Sequence, residues 1–225
     1  MSSSLPDPAG VLPRYRELVA HVDGWFARAL QAHREDGVQC GAGCCSCCIG
    51  LFDISSADQL MVAEGYRRAA PETRRALRQS ARTLLDRIET LAPRWERPYQ
   101  LGRLGEERFD ALCDALATER CVALDGTGLC QIYDHRPLIC RLHGLPMYDP
   151  LEAQYCGGAC ELNFPPVDLA DKPALHFAHA EFCRSEDRLI AEASRAATGA
   201  EPQGAATIVA AAILEAARTM GENDD

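Results

Sequence analysis

The sequence predicts a mainly α fold, a small helical domain whose cysteine-rich loop and short β-hairpin form a metal-binding centre. Three observations lead there. Apolar residues recur at three-and-four spacing through most of the chain, and extended stretches are few and short. The run Cys40-Gly-Ala-Gly-Cys44-Cys45-Ser-Cys47-Cys48 puts five cysteines into nine residues. Packing alone does not select such a density, whereas soft-metal coordination does, and Gly41, Gly43 and Gly50 let the backbone turn so that several sulfurs converge.

In chain order, residues 1–12 read as a flexible leader and 13–225 as a single domain, with the cysteine-cluster region at 40–160 and C-terminal helices within 174–220. Pro13 to Arg34 predicts a helix with Leu18, Val19, Val22, Trp25, Phe26, Ala29 and Leu30 on one stripe, ended by Gly37. After the cysteine loop, Ile49 to Ile54 suits a short extended piece, and Ser55 or Ser56 caps a helix running to about Ala70. Pro71 starts another, to Leu91, with Leu77, Leu84, Leu85 and Ile88 inward and its arginines on a solvated face. Pro93 to Gly105 has loop composition, and Glu106 to Arg120 resumes helical spacing through Phe109, Leu112 and Leu116.

Cys121 to Tyr133 predicts a small hairpin turning at Asp125-Gly-Thr-Gly, which brings Cys121 and Cys130 together. Asp134-His-Arg-Pro137 opens a short helical turn that holds Cys140. Gly144 to Pro173 is expected to be loop, Ala174 to Ala197 a helix, and Ala205 to Met220 an Ala-rich helix buried through Ile208, Val209, Ile213 and Leu214.

Composition narrows the function. Acidic residues outnumber basic ones by 33 to 23, a net charge of -10, which argues against nucleic acid as a partner because phosphate binding needs a positive surface. The N-terminus lacks the basic start and apolar core of a secretory signal, and no stretch is apolar enough to span a bilayer, so a cytoplasmic location without membrane contact is expected. In a reducing compartment twelve cysteines read as metal or redox chemistry rather than as a disulfide framework.

Cys40, Cys44 and Cys47 stand at CxxxCxxC spacing. Cys47 and Cys48, as neighbours, reach one ion only with strain, so one of them is free to serve a second ion, a bridging position or no metal. Cys121, Cys130 and Cys140 offer sulfurs from a hairpin and a helix start, and Cys156 and Cys160, separated by Gly-Gly-Ala, are further candidate ligands. Cys113 and Cys183 fall inside helical patterns and read as packed core residues. His176, His179 and Cys183 share a predicted helix face that is read first as a packed interface. His135 and His143 flank Cys140 as possible hydrogen-bond donors to ligand sulfurs, and Arg136 and Arg141 stand where a guanidinium offsets thiolate charge.

Cys40-xxx-Cys44-xx-Cys47-Cys48, then Cys121, then Cys130-x-x-Tyr133-Asp-x-Arg136-Pro137-x-x-Cys140-Arg141 resemble the YkgJ-type cysteine-cluster family, also known as the CxxCxxCC zinc- or iron-chelating domain. The resemblance spans roughly Cys40 to Cys160, with Cys45 as an extra cysteine. It implies a metal-binding domain with about eight coordinating cysteines, holding zinc or iron. The reading is therefore a chelating protein with one or two sulfur-rich sites. A 4Fe-4S cluster with a redox or electron-transfer role is the alternative, and a zinc module presented to a protein partner is another. CxxxCxxC is also the spacing of radical S-adenosylmethionine enzymes, but those need a long alternation of strand and helix that this chain lacks.

Overall fold

The computed structural model describes residues 10–41, 43–157, 159–163, 170–198 and 202–222. The first helix, α1 (Val11–Ala32), buries Tyr15, Val19, Val22, Trp25 and Ala29 at the expected spacing. It starts inside the expected leader, and Val11 is buried. Next, α2 (Ser56–Arg68) begins where Ser55 accepts the Asp58 N–H while the Asp58 carboxylate accepts the Ser55 N–H, a reciprocal cap. Helix α3 (Pro71–Leu91) opens on proline, whose missing N–H costs nothing in a first turn.

Two cores flank α2. Val62, Ala63 and Tyr66 pack with α3, Trp95, Phe109 and the C-terminal helix, whereas Ala57 and Met61 face α1, Leu138, Met147 and Phe177. A helix buried on two sides lies at the centre of the molecule and holds polar residues in fixed places. Asp58 and Glu64 of α2 are both buried.

The expected loop after Pro93 contains a single helical turn, α4 (Leu101–Leu104), and α5 spans Glu106–Ala115. Helix α5 stops short of Arg120 because the chain leaves it to pair with the cysteine loop, Ile49 bridging Arg120 and the Gly50 N–H reaching Glu119 O at 2.8 Å.

The predicted hairpin at 121–133 is a correction. Its turn forms, with Asp125 N–H on Leu129 O at 2.8 Å and the Asp125 carboxylate accepting from Thr127 and Leu129. Its arms, however, meet in one bridge, Leu124 with Cys130, rather than as strands. The two-stranded hairpin lies instead in the expected loop, where β2 (Met147–Asp149) pairs antiparallel with β3 (Gln154–Cys156). Burial of Met147, Asp149 and Cys156 gives that hairpin an inner face.

Helical turn α6 (Ile139–Leu142) carries Cys140, as expected. Helix α7 (His179–Thr198) begins later than Ala174, because residues 173–175 form a separate 3-10 turn. After α8 (Pro202–Ala205), Thr207–Ile208 form β4, which pairs antiparallel with β1 (Asp53–Ile54), and α9 (Val209–Thr219) follows. Among the described residues no helix is long and apolar enough to cross a membrane.

Candidate metal centre

The cysteine loop leaves α1 through Gly37, at φ 81°. Within it, Cys44 N–H reaches Gly41 O at 3.1 Å and Cys48 N–H reaches Cys45 O at 2.9 Å, two consecutive tight turns that face several side chains one way. The Cys121 N–H then donates to Cys48 O at 2.9 Å, so the two cysteine segments are joined through their backbones.

Three devices fix the second segment. Gly65 in α2 is one: a Cβ there would lie 2.6 Å from the His135 Cβ and 3.2 Å from that of Ile132, so the 132–135 turn lies directly on the helix. Arg141 is another, 3% exposed, donating to Asp134 O at 2.7 Å and Arg136 O at 3.2 Å and pairing with Asp23 of α1. Asp58 is the third. Its carboxylate accepts the Leu138 N–H and the Tyr15 hydroxyl, each at 2.8 Å, which anchors the turn leading into Cys140.

Burial and neighbouring groups raise several of the thiols. Burial raises the Cys140 thiol first, and the neighbouring Cys121, Asp58, Cys130 and Cys47 raise it further. Cys121 is pushed up to about 11 by burial and then by Cys130 and Cys47. Cys47 lies against the Cys48 sulfur, the largest cause of its own upward shift. These thiols share one neighbourhood and oppose each other's ionisation.

Cys40 accepts the Asn163 amide N–H at 3.0 Å. Burial raises its thiol, the Asn163 amide lowers it, and Cys44, Cys160 and Cys47 raise it further. Cys44 and Cys47 are exposed, whereas Cys121, Cys130 and Cys140 are half-buried.

Cys156 is placed elsewhere. It is buried in the second core, where Asp149 and Cys183 are its charged and sulfur neighbours. Gly157 takes φ 75° and Ala159 bridges Gly144, which places Cys160 N–H on Gly144 O at 3.1 Å. Cys45 points at the 121–130 turn, and a Cβ on Gly128 would meet its sulfur at 3.4 Å. Cys113 packs against the first core and Cys183 against the second.

The basic and imidazole groups sort as follows. Arg136 lies over the Tyr133 ring, 3.9 Å from its centre; burial raises the Cys130 thiol, and Arg136 opposes the rise there and at Cys47. Arg141 also opposes the rise at Cys130, while its guanidinium is paired with Asp23. His135 turns away from the sulfurs to α2, 3.9 Å from Glu64. The expected histidine face separates: His176 lies before α7 and bonds Ala170 O at 3.0 Å, while His179 alone meets Cys183, at 3.6 Å.

Asn163 and Asp58 are site residues the sequence reading missed. Ser55-x-x-Asp58 is a legible cap, but nothing local ties its carboxylate to Leu138. Asn163 follows the last cysteine of the cluster without a motif of its own.

The donor chemistry fits a soft divalent ion: free thiols from separate segments, two adjacent guanidiniums and an amide N–H on sulfur. Among the described residues no group of three or more Cys, His, Asp or Glu side chains is placed to hold a metal ion. Cys47 is turned onto its neighbour Cys48. A family profile, CxxCxxCC, described as a putative zinc- or iron-chelating domain, matches residues 39–161. No curated protein and no solved structure matches the chain.

Proposed function

The chain belongs to the CxxCxxCC family, described as zinc- or iron-chelating, and from that premise we propose that it chelates zinc or iron through the thiolates of Cys40, Cys44, Cys47, Cys48, Cys121, Cys130, Cys140 and Cys160. The observation that carries this reading is the joining of the two cysteine segments, where the Cys121 N–H donates to Cys48 O at 2.9 Å and the Cys45 sulfur lies against Gly128. Half-buried thiols that raise one another's pKa are a liability unless a cation offsets them. Four thiolates around a divalent ion leave a net charge of minus two, and Arg136 and Arg141 stand beside Cys130 to reduce it. Cys156, in the second core, is left out of the ligand set.

In this reading the residues bind and orient. Asp58 holds the Leu138 turn, Arg141 holds the segment before Cys140, and the backbone bond from Cys121 to Cys48 O keeps the two motifs together. A bound ion would supply the cross-link that these contacts leave unfinished. Residues 13–225 work as one domain, in a reducing compartment that keeps the thiols free. An iron-sulfur cluster with an electron-transfer role is the second reading, favoured by the amide N–H on Cys40, a contact that stabilises cluster sulfur ligands.

Metal and acid-labile sulfide analysis of anaerobically purified protein separates the outcomes. Zinc without sulfide, in colourless protein, supports a chelating site. Brown protein with matching iron and sulfide supports the cluster. Folded protein that carries neither metal and takes up none would end the proposal.

A further inference from the structure

The stretch Gly65 to Arg82, the end of α2 and the first half of α3, holds six of the chain's 23 basic residues, Arg67, Arg68, Arg74, Arg75, Arg78 and Arg82, and one acid, Glu72. In a chain of net charge -10 this is a basic face on an acidic protein. Arg74, Arg75, Arg78 and Arg82 fall at spacings that put them on adjoining strips of α3. The sequence reads these arginines as solvated, yet the side chains of Arg74 and Arg78 are only 18% and 22% exposed.

What draws them in is a carboxylate. Glu222 follows α9 through Gly221, at φ 70°, and its N–H reaches Ala217 O at 3.1 Å. Its Oε1 accepts from Arg74 Nε at 2.7 Å, and its Oε2 accepts from Arg78 Nη1 and from the Tyr66 hydroxyl. Arg78 also donates to the Tyr66 hydroxyl at 2.8 Å, and Arg74 Nη1 to Ala69 O at 2.8 Å, so the donors of two helices hold one another in place. One carboxylate thus meets three donors, two of them charged, which is how guanidiniums recognise carboxylates. One residue beyond Tyr66, Arg67 Nη1 is buried without a hydrogen-bond partner among the described residues, a cost that a further anionic acceptor would remove. Arg68 pairs with Glu64 at 3.0 Å, and Arg75 is exposed.

We propose that this face binds an acidic peptide segment of a partner protein, and that Glu222 occupies its carboxylate position in cis. A glutamate or aspartate of the partner replaces Glu222 on the same three donors, while Arg67 and Arg75 supply charge for the acidic side chains beside it. Binding in trans therefore competes with the hold on the segment after α9. The cysteine centre takes no part in it.

Fluorescence anisotropy of a labelled hexaglutamate peptide, titrated with the full chain, tests this. Glu222→Gln removes the competing charge and should bind the peptide about tenfold more tightly than wild type, the gain expected when the occupied state holds about nine-tenths of the wild-type population. In the Glu222→Gln background, Arg74→Gln combined with Arg78→Gln should abolish the gain. Arg75→Gln should weaken binding about threefold, as loss of one exposed charge pair does. Because Arg75 is exposed, its variant keeps the test decisive should the double replacement fail to fold. Salt at about 1 M, where charges are screened beyond about 3 Å, should release the peptide, and a hexaserine peptide should not bind. Equal affinity of Glu222→Gln and wild type, or binding that the arginine replacements leave unchanged, would overturn the proposal. Two other results would also overturn it: inorganic phosphate raising the melting temperature of Glu222→Gln while hexaglutamate fails to bind, which marks an ion site only, and self-association of Glu222→Gln in sedimentation without peptide binding, which marks a contact with a second copy.

Discussion

Replacing Asp58 with alanine should be among the most damaging single changes outside the cysteines. Its carboxylate accepts four hydrogen bonds, from Leu138 N–H and Tyr15 hydroxyl at 2.8 Å each and from the Ser55 hydroxyl and N–H at 3.1 and 3.2 Å. In Asp58→Ala the Tyr15 hydroxyl and the Leu138 N–H lose their partner inside the protein, where Tyr15 is 0% and Leu138 1% exposed. Each orphaned donor costs about 1 to 3 kcal/mol, so the pair removes roughly 2 to 6 kcal/mol. Part of the helix cap is lost as well, because the Ser55 N–H is freed while the bond from Asp58 N–H to Ser55 survives. A domain of this size has a stability of about 5 to 15 kcal/mol, so the loss takes a large share of it. Burial of the carboxylate is itself unfavourable and raises its pKa, so Asp58→Asn, which keeps an acceptor without the charge, should cost less than Asp58→Ala. Urea unfolding of metal-free protein measures the stability, and zinc content after loading measures the effect on Cys140. The reasoning is refuted if Asp58→Ala unfolds within about 1 kcal/mol of wild type, since one orphaned donor alone should exceed that.

Glu186 should make the fold weaken with rising pH. Burial, then Asp58 and Asp187, raise its carboxyl to about 7. The raised value means that the folded state favours the neutral acid, so its contribution is complete below about pH 4.5 and is lost as pH rises towards 7, by roughly 3 kcal/mol at most. Glu186→Gln should therefore be more stable than wild type at pH 8 and equal to it at pH 4, read from paired denaturant curves. Gly144→Ala should cost about 1 to 3 kcal/mol for its backbone at φ 121° and should also displace the Cys40 sulfur, 2.9 Å from where the Cβ would stand; thermal unfolding and metal content together check it, and an unchanged metal content would show that the Cys40 turn yields. Cys113→Ala and Cys183→Ala should keep the full metal content and lose about 1 to 2 kcal/mol each as core truncations. Metal loss from Cys183→Ala would instead promote His179 and Cys183 to ligands, beside Cys156.

What the sequence determined by itself is local. Apolar spacing places α1, α3 and α9 within a few residues, Pro71 starts a helix where proline is harmless, and Ser55-x-x-Asp58 closes a cap, because each of these depends on neighbours within one or two turns. The cysteine motifs are equally legible, since five thiols in nine residues are a density that packing alone does not select. Only tertiary structure decided which sulfur stands with which. Cys156 and Cys160 are four residues apart and equivalent in sequence, yet the pairing of β2 with β3 buries the first beside Cys183, while the turn after it brings the second to Cys40. The same holds for β1 with β4, for Asp58 with Leu138 and for Asn163 with Cys40, partners far apart in the chain. Such pairings follow from how two cores close around α2, and backbone periodicity carries no information about which distant carbonyl, carboxylate or sulfur a buried polar group will meet.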